Sequence, residues 1–286
     1  MYQPTINATA LALLAPSKPI VGSHVIVLAH GQPEAQRIGV LLTGQPSLAC
    51  TAGTGVLQLC EQAASTWRGA QRTGSTLSML AASSVRALTG SLISVITSQE
   101  GRPRWCEVST APARSARTFL ELYPETKVIC LHRNCADVVH ESVPGGPLHE
   151  GRLPVGRGTG PGVHGVRGAG GECGEVGDPM AGVASHWQVR TESLLALERD
   201  HAAQCLRVRY EDLVASPATA AGILSFLGLD RRPGLDWPGP AESGPEVRHQ
   251  DAALLAARIG SPLLEQINRL HAELHYLAIE RVPARY

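Results

Sequence analysis

An arginine that follows a short apolar run predicts an anion-binding site near the middle of the chain. Arg133 comes shortly after residues 127–131, which have the length of a buried strand, and residues 136–142 can then form a helix. A strand end beside a helix N-terminus is where open α/β sheets bind anionic ligands. The planar guanidinium group suits phosphate. The alternative is that Arg133 is a structural residue that caps a loop.

A second junction of this kind lies closer to the N-terminus. Residues 24–29 are the clearest strand there, residues 30–33 form a turn, and residues 34–42 carry apolar side chains at helical spacing. Residues 51–55 are small and predict a loop. Further strands are predicted at 104–108 and 205–210, and helices at 56–67, 77–98, 113–122, 184–200, 217–227 and 262–277. This alternation predicts an α/β fold with a mostly parallel sheet and helices on both faces.

Residues 144–182 differ from the rest of the chain because they contain 14 glycines and almost no periodicity. Such a segment buries too little apolar surface to offset the entropy lost on ordering. We expect a long mobile loop here. It would serve either as a lid over a site or as an ordinary surface insertion.

Composition excludes several classes of protein. Lysine plus arginine equals aspartate plus glutamate at 25 each, which argues against a general nucleic-acid binder. The seven cysteines form no CxxC pair, so no metal site is expected, and their odd number favours a reducing compartment. No apolar run reaches the ~18 residues of a membrane span, and residues 8–15 follow no basic segment. We therefore expect a cytoplasmic protein that does not bind membranes.

Three segments together resemble the sulfotransferases that use 3′-phosphoadenosine 5′-phosphosulfate (PAPS). They are YPETKVICLHRNCADVV at residues 123–139, RVRYEDLVASP at 207–217 with ILSFLGL at 223–229, and WCEVSTAP at 105–112. The likeness covers roughly residues 24–277 and is greatest to the actinobacterial branch from specialised-metabolite pathways. It implies a P-loop-like α/β core within a single domain over residues 1–286.

The resemblance also implies a strand–loop–helix that binds the 5′-phosphosulfate, and two segments are candidates. QRTGSTL at residues 71–77 matches the family's loop in its residue types but follows a helix-like stretch. Residues 30–37 lie between a strand and a helix, at about the family's distance from Arg133. Because backbone N–H groups at a helix N-terminus would bind the donor, we favour residues 30–37. Gly31, Gln32, Gln36 and Arg37 would contact the donor, and Glu34 would face it.

The 3′-phosphate is held in this family by an arginine and a serine. Arg133 matches the arginine. The family's usual serine position is occupied by Glu141, and Ser142 follows it. Either the start of the helix is shifted by one residue, so that Ser142 contacts the phosphate, or the 3′-phosphate is held more weakly than in the family. Arg248, in what is predicted to be a late loop, lies where relatives contact the donor.

Sulfuryl transfer to a hydroxyl needs a general base, and His30, Glu61 and Glu107 are the candidates. Glu107 ends a predicted strand, although it could instead pair with Arg104. His30 could be a turn residue, and Glu61 could be a solvated residue on a helix. Val108 stands where the family often has a lysine.

The resemblance implies transfer of a sulfuryl group from PAPS to a hydroxyl or amine of a small metabolite in natural-product biosynthesis, with 3′,5′-adenosine bisphosphate (PAP) as product. The alternative is a protein of this fold that no longer uses PAPS and has other chemistry or a binding role. The departures at residues 32–36, 108 and 141 favour the alternative. A small-molecule acceptor is the expected partner, and both a monomer and a homodimer are open.

Overall fold

The computed structural model describes residues 23–71, 77–143, 178–230 and 245–281. Residues 72–76 of the competing loop and nearly all of the glycine-rich segment lie outside these residues. Five parallel strands form one sheet in the order β2-β3-β1-β4-β5. The strands are β1 (Val25–Leu28), β2 (Leu48–Ala52), β3 (Arg104–Ser109), β4 (Lys127–His132) and β5 (Cys205–Arg209).

Helices connect the strands and follow the last one. They are α1 (Gln32–Thr43), α2 (Val56–Gln71), α3 (Leu77–Glu100), α4 (Ala113–Leu122), α5 (Cys135–Ser142), α6 (Pro179–Asp200), α7 (Tyr210–Ala215), α8 (Pro217–Phe226), α9 (Pro245–Arg258) and α10 (Ser261–Glu273).

The two faces of the sheet carry separate apolar cores, as expected for parallel strands buried on both sides. Alternate residues of β1 point to opposite faces. Ile26 and Leu28 join a core with Leu57 of α2 and Phe119 of α4, whereas Val25 and Val27 join a core that includes residues of α1 and α8. The predicted α/β architecture, with helices on both faces of a mostly parallel sheet, is confirmed.

The strand register brings the carboxyl ends of the central strands to one edge. Leu28, the last residue of β1, pairs with Ser109 at the end of β3 and with Cys130 near the end of β4. The chain moves from β1 to β2 and β3 on one side and then crosses to β4 on the other. Ligands of open α/β sheets bind at such a switch point.

Two elements differ from the sequence prediction. The predicted loop at residues 51–55 begins inside a strand, because β2 reaches Ala52 and pairs with β3 along its length. The predicted late loop around Arg248 is wrong, because residues 245–258 form α9. Both elements depend on tertiary pairing, which propensity alone does not indicate.

The described chain divides into two compact units. The first lies within Met1–Arg133 and Arg190–Glu242 and contains the whole sheet. The second lies within Asn134–Val189 and Ser243–Tyr286, and in it the rings of Trp187 and His271 meet edge to face at 5.4 Å. The single domain expected over residues 1–286 stays a prediction. No helix in the described ranges combines the length and the apolar character needed to cross a bilayer.

Candidate functional site

The junction between β1 and α1 places a helix N-terminus directly at the end of a central strand. Only Ala29, His30 and Gly31 separate the two elements. Gly31 is the N-cap in an extended conformation, and Pro33 occupies the first helical turn, where its missing N–H costs no hydrogen bond. The first backbone N–H groups of α1 have no partner within the helix and give this end a partial positive charge. Gln32 and Gln36 are exposed, and Arg37 is half-buried.

Glu34, the third residue of α1, is only 1% exposed, and its carboxylate folds back over the start of the helix. A Cβ atom built on Gly31 would lie 3.2 Å from Glu34 Oε2. Glu34 Oε1 accepts a hydrogen bond from Arg133 Nη1 at 3.2 Å. Glu34 Oε2 is buried and has no hydrogen-bond partner among the described residues. The favoured loop therefore carries its own buried anion.

Arg133 lies at the end of β4 and is buried. Besides its ion pair with Glu34, its guanidinium group lies over the ring of Tyr210, 4.9 Å from the centroid. Tyr210 belongs to the RYEDL segment. The structure thus brings together the loop at residues 30–37, Arg133 and one of the segments that carry the family resemblance.

Arg190 of α6 is a site residue that the sequence analysis missed. Arg190 Nη1 donates to the carbonyls of Thr110 and Ala111 at 2.9 and 3.2 Å, and Nη2 donates to the carbonyl of Ala29. Burial lowers the pKa of Arg190 to about 10, and the nearby Glu34 carboxylate opposes that decrease. An arginine on the apolar face of a helix is the signal that could have identified it.

A network of three hydrogen-bonded polar side chains lies at the same edge of the sheet. His132 Nε2 and Glu198 Oε1 are 2.6 Å apart, and Arg207 Nε donates to Glu198 Oε2 at 2.6 Å. These hydrogen bonds from His132 and Arg207 hold the pKa of Glu198 below its ordinary value, although burial acts in the opposite direction. The half-exposed ring of His30 lies 6.2 Å from the ring of His132. Of the three predicted bases, His30 is the one that lies beside this hydrogen-bonded network.

Glu107 lies in β3 and is buried, and its carboxylate is bonded to β2 and to the loop that follows β2 rather than paired with Arg104. Thr51 Oγ1 donates to Glu107 Oε2 at 2.6 Å, and the backbone N–H of Thr54 donates to Glu107 Oε1 at 2.8 Å. Burial raises the pKa of Glu107, while the hydrogen bonds from Thr51 and Thr54 act against the rise. Both oxygens are thus used to hold the segment that leads into α2.

Glu61 bridges two helices. Its carboxylate accepts hydrogen bonds from Arg114 Nε and Ser115 Oγ at the start of α4. Glu61 is half-buried, so it is not the solvated helix residue that the sequence analysis considered as an alternative.

The last two predicted donor-binding residues belong to the second unit. Ser142 ends α5 and is exposed, as is Glu141. Asn134 caps this helix by accepting a hydrogen bond from the backbone N–H of Ala136 at 2.9 Å. Arg248 lies in α9, and its side chain is outside the described residues. Both assignments stay predictions.

Within the described parts of the chain, no three His, Cys, Asp or Glu side chains are grouped as metal ligands would be. The cationic groups of the site suit an anion instead. Arg133, Arg190 and the N-terminus of α1 fit a phosphate or sulfonate group, whereas the buried carboxylate of Glu34 does not.

Comparison with solved structures finds a similar chain described as the sulfotransferase domain from the curacin biosynthetic pathway. The match has a TM-score of 0.52 and 13% sequence identity, and it covers 90% of this chain and 99% of that chain. No protein-family model matches the chain, and no curated protein does. The likeness shows a sulfotransferase-like α/β fold, and it confirms the predicted fold class.

Proposed function

We propose that the protein transfers a sulfuryl group from PAPS to a hydroxyl or amine of a small metabolite in natural-product biosynthesis, releasing PAP. The observation that carries this proposal is the sulfotransferase-like fold with Arg133 beside the N-terminus of α1. A solved neighbour that comes from a biosynthetic pathway supports the general setting.

The residues of the first unit have distinct roles in this proposal. PAPS supplies the sulfuryl group. The N–H groups at the start of α1, with Gly31, Gln32, Gln36 and Arg37, bind its phosphosulfate, and Arg133 binds its 3′-phosphate. Positive groups fixed in this way stabilise negative charge that develops on the leaving phosphate. Ser142 and Arg248, which belong to the second unit, keep the donor-binding roles that the family resemblance implies for them.

His30 is the base that the geometry favours. The carboxylate oxygens of Glu107 accept hydrogen bonds from Thr51 of β2 and from Thr54 of the loop after it. Glu61 is bonded to Arg114 and Ser115. His30 lies instead at the end of β1 and is half-exposed. It would accept the proton of the acceptor hydroxyl.

A second candidate function is that of a sulfotransferase-fold protein that no longer uses PAPS. The buried ion pair of Glu34 and Arg133 favours it, because the carboxylate places negative charge where the donor's phosphate would bind. Such a protein would have other chemistry or a binding role.

Calorimetric titration with PAP separates these two functions. We expect the wild-type protein to bind PAP and the Arg133→Ala variant to lose at least about tenfold in affinity, because a charge-assisted contact to phosphate is removed. Arg117, a half-buried residue of α4 whose Nη1 lies 2.6 Å from Asp200 Oδ2, provides the matched control. Arg117→Ala should bind PAP like the wild type.

The absence of PAP binding by the wild-type protein at millimolar concentration would refute PAPS as the donor and support the second function. Binding that both arginine variants retain would place the nucleotide elsewhere in the molecule. Binding that only Arg133→Ala loses would justify a search for acceptors with labelled donor.

A further inference from the structure

The carboxylate of Glu34 lies at the position that an external anion would take. It is on the first turn of α1, folded back toward Gly31, and it is paired with Arg133. The positive end of the helix stabilises a negative charge here whether that charge belongs to a ligand or to the protein. Glu34 and the donor's anionic group would therefore compete for the same groups.

Two buried arginines lie in the surroundings of Glu34. Arg133 contacts it directly, and its negative charge also favours the charged form of the buried Arg190. Glu34 Oε2 nevertheless receives no hydrogen bond from any described residue. A buried carboxylate oxygen without a donor is unfavourable, and a tetrahedral anion offers more acceptor directions to the same cations. Glu34 is thus an imperfect occupant of the position.

We propose that Glu34 is an internal anion that occupies the binding position for the donor's phosphate or sulfonate group. Its side chain rotates away, releasing Arg133, before an external anion binds. This inference rests on the proposed function and adds an autoinhibitory contact to it. No covalent change is needed, because the ion pair with Arg133 is exchanged for an equivalent one with the ligand.

Removal of the negative charge tests the proposal on the full-length chain. Glu34→Gln keeps the size of the side chain and an oxygen that can accept from Arg133, so the fold should be retained. We expect this variant to bind PAP on the order of tenfold more tightly than the wild type, because repulsion and competition are removed. Glu265→Gln changes an exposed glutamate of α10 and should leave the affinity unchanged.

A second measurement uses inorganic sulfate as the probe and does not depend on nucleotide binding. Glu34→Ala leaves Arg133 without its carboxylate, so a bound anion should restore stability. We expect sodium sulfate to raise the Tm of Glu34→Ala by several degrees more than that of the wild type, compared with sodium chloride at equal ionic strength. Glu265→Ala should respond like the wild type.

The outcomes distinguish this inference from the proposed function. Equal PAP affinities of the wild type and Glu34→Gln would overturn the inference while leaving PAP as a ligand. Failure of every variant to bind PAP would refute the proposed donor. The sulfate measurement would then decide whether Glu34 is an internal anion. Selective stabilisation of Glu34→Ala by sulfate would support the internal anion, and equal stabilisation of both proteins would overturn it.

Discussion

Arg190 shows how one buried side chain can fix the ends of several segments. Its guanidinium group donates to carbonyls that follow β1 and β3, so the two strand ends are held by one residue of α6. The buried carbonyls of Ala29 and Ala111 would lose this donor if the arginine were removed, and buried backbone groups need a partner.

We therefore expect Arg190→Met to lower the free energy of unfolding by about 3 kcal/mol, since it removes the donor of two buried carbonyls and of the carbonyl of Thr110. Urea denaturation of the purified protein measures the change. Arg199, an exposed residue of the same helix, gives the control, and Arg199→Met should cost less than about 0.5 kcal/mol. Equal costs for the two variants would show that the carbonyl contacts of Arg190 contribute little.

At the scale of elements, the loop that leads into α2 is held by Glu107. Its two oxygens accept hydrogen bonds from Thr51 and Thr54, and Trp105 Nε1 donates to Thr51 Oγ1 at 2.8 Å. A glutamine can accept from the backbone of Thr54 and donate to the hydroxyl of Thr51, whereas an alanine can do neither.

Glu107→Gln should accordingly lower the free energy of unfolding by less than about 1 kcal/mol. Glu107→Ala should lower it by about 2 kcal/mol, because only the alanine leaves buried groups unpaired. Thermal unfolding of the two variants measures the difference. Once an acceptor is known, loss of activity in a Glu107→Gln protein that folds normally would instead identify Glu107 as the base.

The sequence predicted the elements whose own residues specify them. β1 and β4 are apolar runs bounded by turns, and their assignments are confirmed within a residue or two. β2 consists mostly of small residues and, among the described strands, pairs only with β3, so its strand conformation comes from that pairing rather than from propensity. α9 has a polar first turn and packs against α5, which no local pattern indicates.

The candidate site was predictable only in part for a related reason. Arg133 and the loop at residues 30–37 were predicted from strand ends and from the family resemblance. The pair of Glu34 and Arg133 joins residues 99 apart in the chain, and it forms because β1 and β4 are neighbours in the sheet. Its consequence for donor binding follows from three-dimensional structure and not from residue types.

At the scale of the whole molecule, two buried histidines make stability depend on pH. Burial lowers the pKa of both His24 and His271 from 6.5 to about 4. His24 lies among Trp105, Phe119 and Tyr123, where a charged ring is poorly solvated. The unfolded chain therefore binds more protons than the folded protein between pH 6.5 and about 4, and stability falls as the pH falls through this range.

We expect each histidine to contribute a loss of roughly 2 kcal/mol between pH 7 and pH 5. Urea denaturation at the two pH values measures it. His24→Phe keeps a ring in the aromatic cluster. It should remove about half of the change in the free energy of unfolding that His24 and His271 together cause between these pH values. The exposed His186 provides the control, and His186→Gln should leave the pH dependence as it is. If the free energy of unfolding of His24→Phe falls between pH 7 and pH 5 as much as that of the wild type, His24 is not the group responsible.

The strand order also has a consequence for the growing chain on the ribosome. β1 is synthesised first and lies in the centre of the sheet, with β3 on one side and β4 on the other. Its four residues are all buried, and neither partner exists until the chain has grown past Ser109 and then past His132. Until then β1 has two edges of unpaired backbone N–H and C=O groups and four apolar side chains, which is the condition under which strands associate wrongly. The residues of β3 and β4, which flank β1, thus also end the period in which the edges of β1 expose nascent chains to aggregation.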